Sequence, residues 1–173
     1  MGLFGFPGDP GGDPREKFKD CLNKYGDDRA KKNLTYDSFM AAGQAAATAQ
    51  IATSELLALW DNENSLKPDM MIGRKGPAGE IGAMQITPPA VGDLSRFGQL
   101  PTGWKTNLLA NLTAGALYYA DMSDKYNIPA TQAAAAYNGS PNPNRYTGAQ
   151  AQRYQTAFNQ RQVMMMNLVN CMR

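Results

Sequence analysis

The chain contains no histidine. That absence removes Ser-His and Cys-His nucleophile pairs, histidine general bases and most catalytic zinc sites. Cysteine is nearly as scarce: Cys21 and Cys171 are the two in 173 residues, which argues against a metal cluster. The glycine-rich loops that cradle nucleotide phosphates are missing. Asp13-Pro14 and Asp27-Asp28 lack a calcium-loop spacing. No apolar run is long and clean enough to span a bilayer, because Gln44, Gln50 and Glu55 interrupt residues 40–60. Strand-like alternation is scarce as well. A net charge of +2 is too small to argue for nucleic-acid binding. What survives is carboxylate chemistry that needs no metal and no cofactor.

Acid is also missing locally. No Asp or Glu follows Asp124, whereas Lys125, Arg145, Arg153, Arg161 and Arg173 do. The C-terminal quarter is therefore basic. That suits an anionic polymer, and it equally suits solubilising arginines on a Gln-rich helix.

What is present reads as an all-α chain with one sizeable core. Residues 1–14, rich in Gly and Pro, read as a flexible arm, and residues 15–173 as a single domain. Asp13 and Pro14 begin a short amphipathic helix to residue 25, as N-cap and first helical residue. Residues 26–33 read as a charged loop and residues 35–62 as one long helix. Residues 68–91 read as a loop region, with a short hairpin around 76–81. Further helices are expected over 106–126, 129–137 and 148–171.

Glu63 is the most informative residue. Leu56, Leu59, Trp60 and Glu63 are spaced i, i+3, i+4, i+7, so they share one helix face. Pro68 lies just beyond, and proline disfavours helical geometry in the residue before it. A carboxylate thus sits on the buried side of a helix at its C-terminal end. An apolar wall disfavours its charge and the negative end of the helix dipole repels it. Both keep the carboxyl protonated near neutral pH, as a glycosidase general acid requires.

Three further segments follow in order. Glu63-Asn64-Ser65-Leu66-Lys67-Pro68 precedes Gly82-Ala83-Met84-Gln85-Ile86-Thr87-Pro88. Then come Asn111-Leu112-Thr113-Ala114-Gly115 and Ala136-Tyr137-Asn138-Gly139-Ser140-Pro141. The series resembles the soluble lytic transglycosylase and goose-type lysozyme group of the lysozyme superfamily, which reads E-S-x-F-x-P, G-x-M-Q-x-x-P, N-x-x-x-G and A-Y-N-x-G-P. The resemblance covers residues 35–140. It implies a helical lysozyme-like fold with a loop or short hairpin beside a cleft. Glu63 matches the acid/base. Gly82, Met84 and Gln85 match the cleft motif, and Tyr137 and Asn138 match residues near the acid and the sugar. Asn111 and Gly115 match a packing motif. Asn64 stands where the group has Ser, and Gly139-Ser140 where it has Ala-Gly.

The implied activity is cleavage of the β-1,4 bond between N-acetylmuramic acid and N-acetylglucosamine in peptidoglycan. The expected route is that of a lytic transglycosylase, with Tyr137 near Glu63 or the leaving sugar and Gln85 on the facing wall. Asp61, Asp69 and Glu80 are the candidates for a second carboxylate. Asp61 lies two residues before Glu63 and so points about 200° away on a helix; Glu80 is expected to face the cleft. The alternatives are a hydrolytic lysozyme acting as a secreted antibacterial toxin domain, and a non-catalytic glycan-binding or assembly module. Expected partners are peptidoglycan strands, with an immunity protein or secretion machinery for a toxin. Residues 1–14 lack a basic start and an apolar run, so no signal peptide is read there. Action in the periplasm or at the cell wall then calls for another export route, a phage origin or a larger parent protein. Cys21 and Cys171 form either one staple joining the two ends or two buried thiols, and an oxidising compartment favours the staple.

Overall fold

The computed structural model describes residues 12–68, 79–139 and 148–173. Among the described residues there are eight helices and no strand beyond one isolated bridge. They are α1 (Pro14–Tyr25), α2 (Asp28–Asn33), α3 (Tyr36–Thr48), α4 (Thr53–Asn64), α5 (Pro88–Arg96), α6 (Leu108–Tyr126), α7 (Ala130–Gly139) and α8 (Ala149–Met172). The expected all-α class holds. The arm at residues 1–11, Asp69, most of the expected hairpin at 76–81, and Ser140-Pro141 lie outside the described residues.

Side-chain caps start most of these helices by satisfying their free N–H groups. Asp13 accepts from Arg15 N at 2.9 Å, with Pro14 opening α1 as expected. Asp27 accepts from Ala30 N at 2.8 Å, which turns the expected charged loop into α2. Thr35 and Ser38 form a reciprocal capping box at α3. Thr87 caps α5, whose first residue is Pro88, so the expected loop ends earlier than residue 91. Asn107 caps α6.

The long helix expected over residues 35–62 is two helices. Gln50 takes the left-handed conformation at φ 57°. Ile51 N donates to Ala46 O at 3.0 Å and Gln50 N to Ala47 O at 3.2 Å. These two bonds are the 6→1 and 5→2 pair that closes a helix, a position where glycine is usual. Glutamine there leaves no signal in the sequence.

The core is built on α4 and α8, which pack along one another, with α7 against α8 and α6, and α3 along α6. Leu56, Leu59 and Trp60 are fully buried, so the α4 stripe that carries Glu63 does face inward. In α8, Phe158, Met165, Leu168 and Met172 supply the opposing surface. A disulfide joins Cys21 of α1 to Cys171 of α8, with Cα atoms 5.8 Å apart.

Candidate active site

The end of α4 is shaped by two consecutive left-handed residues, Ser65 (φ 63°) and Leu66 (φ 59°). Such backbone costs about 1–3 kcal/mol per residue and persists where surroundings hold it. Here Leu66 is fully buried, and Asn33 Nδ2 donates to Ser65 O at 2.8 Å. Asn64 Oδ1 accepts from Lys67 N at 2.9 Å, closing the turn. The helix therefore stops one residue after Glu63, four residues ahead of Pro68.

The Gly82–Gln85 segment is a tight turn between Ile81 and Ile86, which exchange backbone hydrogen bonds of 3.0 and 2.9 Å. The hairpin-like feature is this turn. Three helices grip its backbone. From α4, Asn64 Nδ2 donates to Ala83 O at 2.6 Å. From α6, Asn111 is fully buried; its Oδ1 accepts from Met84 N at 2.9 Å. Its Nδ2 donates to Trp104 O at 2.9 Å and Ile81 O at 3.3 Å. From α7, Tyr137 donates its hydroxyl to Met84 O at 2.6 Å. Small residues permit this approach. A Cβ on Gly82 would lie 2.2 Å from Asn111 Nδ2, and one on Gly115 would lie 2.6 Å from Met84 Cβ. The Asn111 and Gly115 pair is thus a clamp for the turn.

Glu63 lies beside this turn, half-buried. Its Oε1 accepts from the Tyr154 hydroxyl at 2.5 Å and from Asn138 Nδ2 at 3.4 Å. Burial is the main cause that raises its pKa, from 4.5 to about 7. The two hydrogen bonds pull it down, and the negative charge of Glu80 adds to the rise. Burial, with Glu63's charge and its hydrogen bond, pushes the Tyr154 hydroxyl well above its ordinary value, so it remains a donor.

Of the expected site residues, the structure brings Glu63 and Asn138 into contact and places Glu80 within electrostatic reach. Met84 is a correction. Its side chain is fully buried against Gly115, so it packs the turn and does not line the cleft. Tyr137 is buried, with its hydroxyl committed to the Met84 carbonyl and not to Glu63. Gln85, half-buried at φ 47°, folds its amide back onto Gly82 O at 2.8 Å. Asp61 is wholly buried and pairs with Arg29 and Arg161, so its carboxylate is committed to them. Burial pushes its carboxyl up, against the pull of Arg161 and Arg29.

Tyr154 is the residue that sequence reading missed. A signal existed. Residues 154, 158, 161, 165, 168 and 172 of α8 are spaced 4, 3, 4, 3, 4, a single helix face. Tyr154 and Arg161 are its polar members, and each meets a carboxylate of α4.

Residues 40–160 match the family described as the transglycosylase SLT domain, and the chain belongs to that family. No curated protein matches the chain. Among solved structures it is similar to an inactive mutant of the lytic transglycosylase Slt from Pseudomonas aeruginosa. The TM-score is 0.55 and the identity 17%, over 89% of this chain and 26% of that one. This chain thus spans about a quarter of the length of that protein, and the likeness is one of fold.

Proposed function

We infer that the chain cleaves the β-1,4 bond between N-acetylmuramic acid and N-acetylglucosamine in peptidoglycan, with Glu63 as acid and then base. One observation carries the reading: a half-buried carboxyl, titrating at about 7, sits beside the clamped Gly82–Gln85 turn. A group with that pKa donates and accepts a proton with comparable ease near neutral pH. Membership of the transglycosylase family supplies the substrate class.

In the first step Glu63 gives its proton to the glycosidic oxygen as the bond to the muramic C1 breaks. The positive charge that develops at C1 is met by the sugar's own N-acetyl oxygen. Tyr154 and Asn138 then stabilise the Glu63 carboxylate by donating to it. In the second step Glu63 takes the proton of the sugar's 6-hydroxyl as that oxygen bonds to C1. The product is a 1,6-anhydro sugar, and no water is consumed. Mass spectrometry of the released muropeptides tests this. Anhydro ends are expected; products heavier by one water per cut overturn it.

The hydrolytic reading keeps one specific observation in its favour, the charge of Glu80 felt at Glu63. If water-gained products appear, Glu80→Gln is expected to abolish them by removing the group that orients the water.

A further inference from the structure

Seven residues beyond Tyr154 on α8, and on the same face, Arg161 reaches into a cluster of charges under the end of α4. Arg161 Nε lies 3.0 Å from Asp61 Oδ2, and its NH1 pairs with Asp27 Oδ2. Arg29 NH1 lies 3.2 Å from Asp61 Oδ1. The Asp61 side chain is 0% exposed and that of Arg161 24%. Asp61 Oδ2 accepts no aligned hydrogen bond, so its pairing with Arg161 is one of charge and contact. Asp27 is at the same time the cap of α2. One guanidinium thus ties α8 to α4 and to the start of α2.

A charged cluster at this place is a poor choice for stability alone, since buried ion pairs are often matched or bettered by apolar residues of similar volume. It is a good choice for register. Phe158, Met165 and Leu168 hold α8 to the core without directionality. The guanidinium is held between two carboxylates on different elements, hydrogen-bonded to Asp27 Oδ2 and in close charge contact with Asp61 Oδ2, so sliding α8 stretches both pairs. The side-chain pairs along the α4/α8 seam run antiparallel: Glu63 with Tyr154, Asp61 with Arg161, and Glu55 with Gln162. Asp61 and Glu63 are two residues apart on α4, so a slip at one pair displaces the other.

We propose that Arg161, acting through Asp61, is a positioning residue that fixes α8 against α4 so that the Tyr154 hydroxyl meets Glu63. It touches neither sugar nor Glu63 and does no chemistry itself. The proposal rests on the reading of Glu63 as the acid/base. The groups that face Glu63 are Tyr154 from α8, Asn138 and Tyr137 from α7, and Glu80 from the segment before the turn. Loss of register removes the first of these and leaves the others. The Glu63 pKa then rises, because the Tyr154 bond is the larger of the two that lower it.

The test pairs an activity assay with a direct titration of the Glu63 carboxyl by carbon NMR. The variant Asp61→Leu/Arg161→Met exchanges the ion pair for apolar volume, and Arg161→Lys keeps the charge without the fork. Both are expected to lower kcat, by ~10²-fold for a misplacement of about 1 Å, with KM near that of the parent. Both are expected to raise the Glu63 pKa in the direction that Tyr154→Phe does. Adding Tyr154→Phe to either is expected to cause little further loss. If the double variant does not fold, Arg161→Lys carries the test alone. A Glu63 titration unchanged in the folded variants overturns the proposal, as does a loss fully additive with that of Tyr154→Phe. The NMR arm reads register without activity, so a parent protein that releases no muropeptides refutes the acid/base reading and leaves this result intact.

Discussion

At the scale of single residues the decisive quantity is the proton on Glu63. Its pKa is raised to about 7, chiefly by burial. The folded state therefore favours the protonated form. That stabilisation is present in full below the ordinary carboxylate value and is lost as pH rises through about 7. Relative to acid pH, the Glu63 contribution is expected to lower the parent's stability at pH 8 by about 3 kcal/mol, from ~1.4 kcal/mol per pKa unit. Glu63→Gln keeps the shape and removes the charge. It is expected to be more stable than the parent at pH 8 and nearly equal to it at pH 4, by denaturant unfolding at the two values. The same variant is expected to lose glycan cleavage by ~10²–10⁴-fold, as for a positioned acid. With Glu63 proposed as the acid, kcat/KM of the parent is expected to fall as pH rises above about 7, where Glu63 loses its proton. Tyr154→Phe moves that limb upward, by removing a donor to the carboxylate. Glu63 was legible in the sequence because an apolar stripe leads to it. For Tyr154 only its place on the inward stripe of α8 was legible; it lies 91 residues away, and nothing local in a Gln-rich helix says which carboxylate a tyrosine will meet.

At the scale of elements, the side chains of the Gly82–Gln85 turn and its clamp are spent on holding the turn itself. Met84 is core, Gln85 closes its own turn, and Tyr137 holds a carbonyl. The motif G-A-M-Q is recognisable in sequence because its backbone must fit under Asn111 and against Gly115. Gly115→Ala is expected to cost about 1–3 kcal/mol by overpacking against Met84. Asn111→Ala strands Met84 N–H and the carbonyl of Trp104, at about 1–3 kcal/mol for each buried group left unpaired. Thermal unfolding checks both, and cleavage is expected to fall in each before the fold is lost. The helices were legible where caps and apolar periodicity agreed, as in α1 and α6. They were not where a single backbone angle decided the matter. Gln50 breaks the long helix, and Asp27 nucleates α2, through hydrogen bonds that a charge count hides.

At the scale of the whole molecule, α8 is the element on which the rest depends. It supplies Tyr154, Arg161 and much of the core surface facing α4, and its far end is fixed to α1 by Cys21–Cys171. The sequence left bridge and free thiols open, since only the fold brings residues separated by 150 positions together. In the chain-entropy model a loop of that size is worth about 4–5 kcal/mol. Cys21→Ser/Cys171→Ser is expected to lose that amount in urea denaturation, and reductant is expected to shift the parent toward the variant.

The bridge also determines how the molecule carries load. Its two sulfur atoms lie between the chain that precedes α1's last turn and the chain that follows α8. Tension applied to those flanking segments passes from one to the other through the covalent link. It bypasses every residue between Cys21 and Cys171, and with them the contact between Glu63 on α4 and Tyr154 on α8. Pulled in an oxidised state, the molecule is expected to lengthen only by its outer residues. Reduction should release the 150-residue separation, about 500 Å of contour at ~3.5 Å per residue. While the bridge is closed, the tethered protein is expected to keep the Glu63–Tyr154 contact under a force that would otherwise unravel it from the ends.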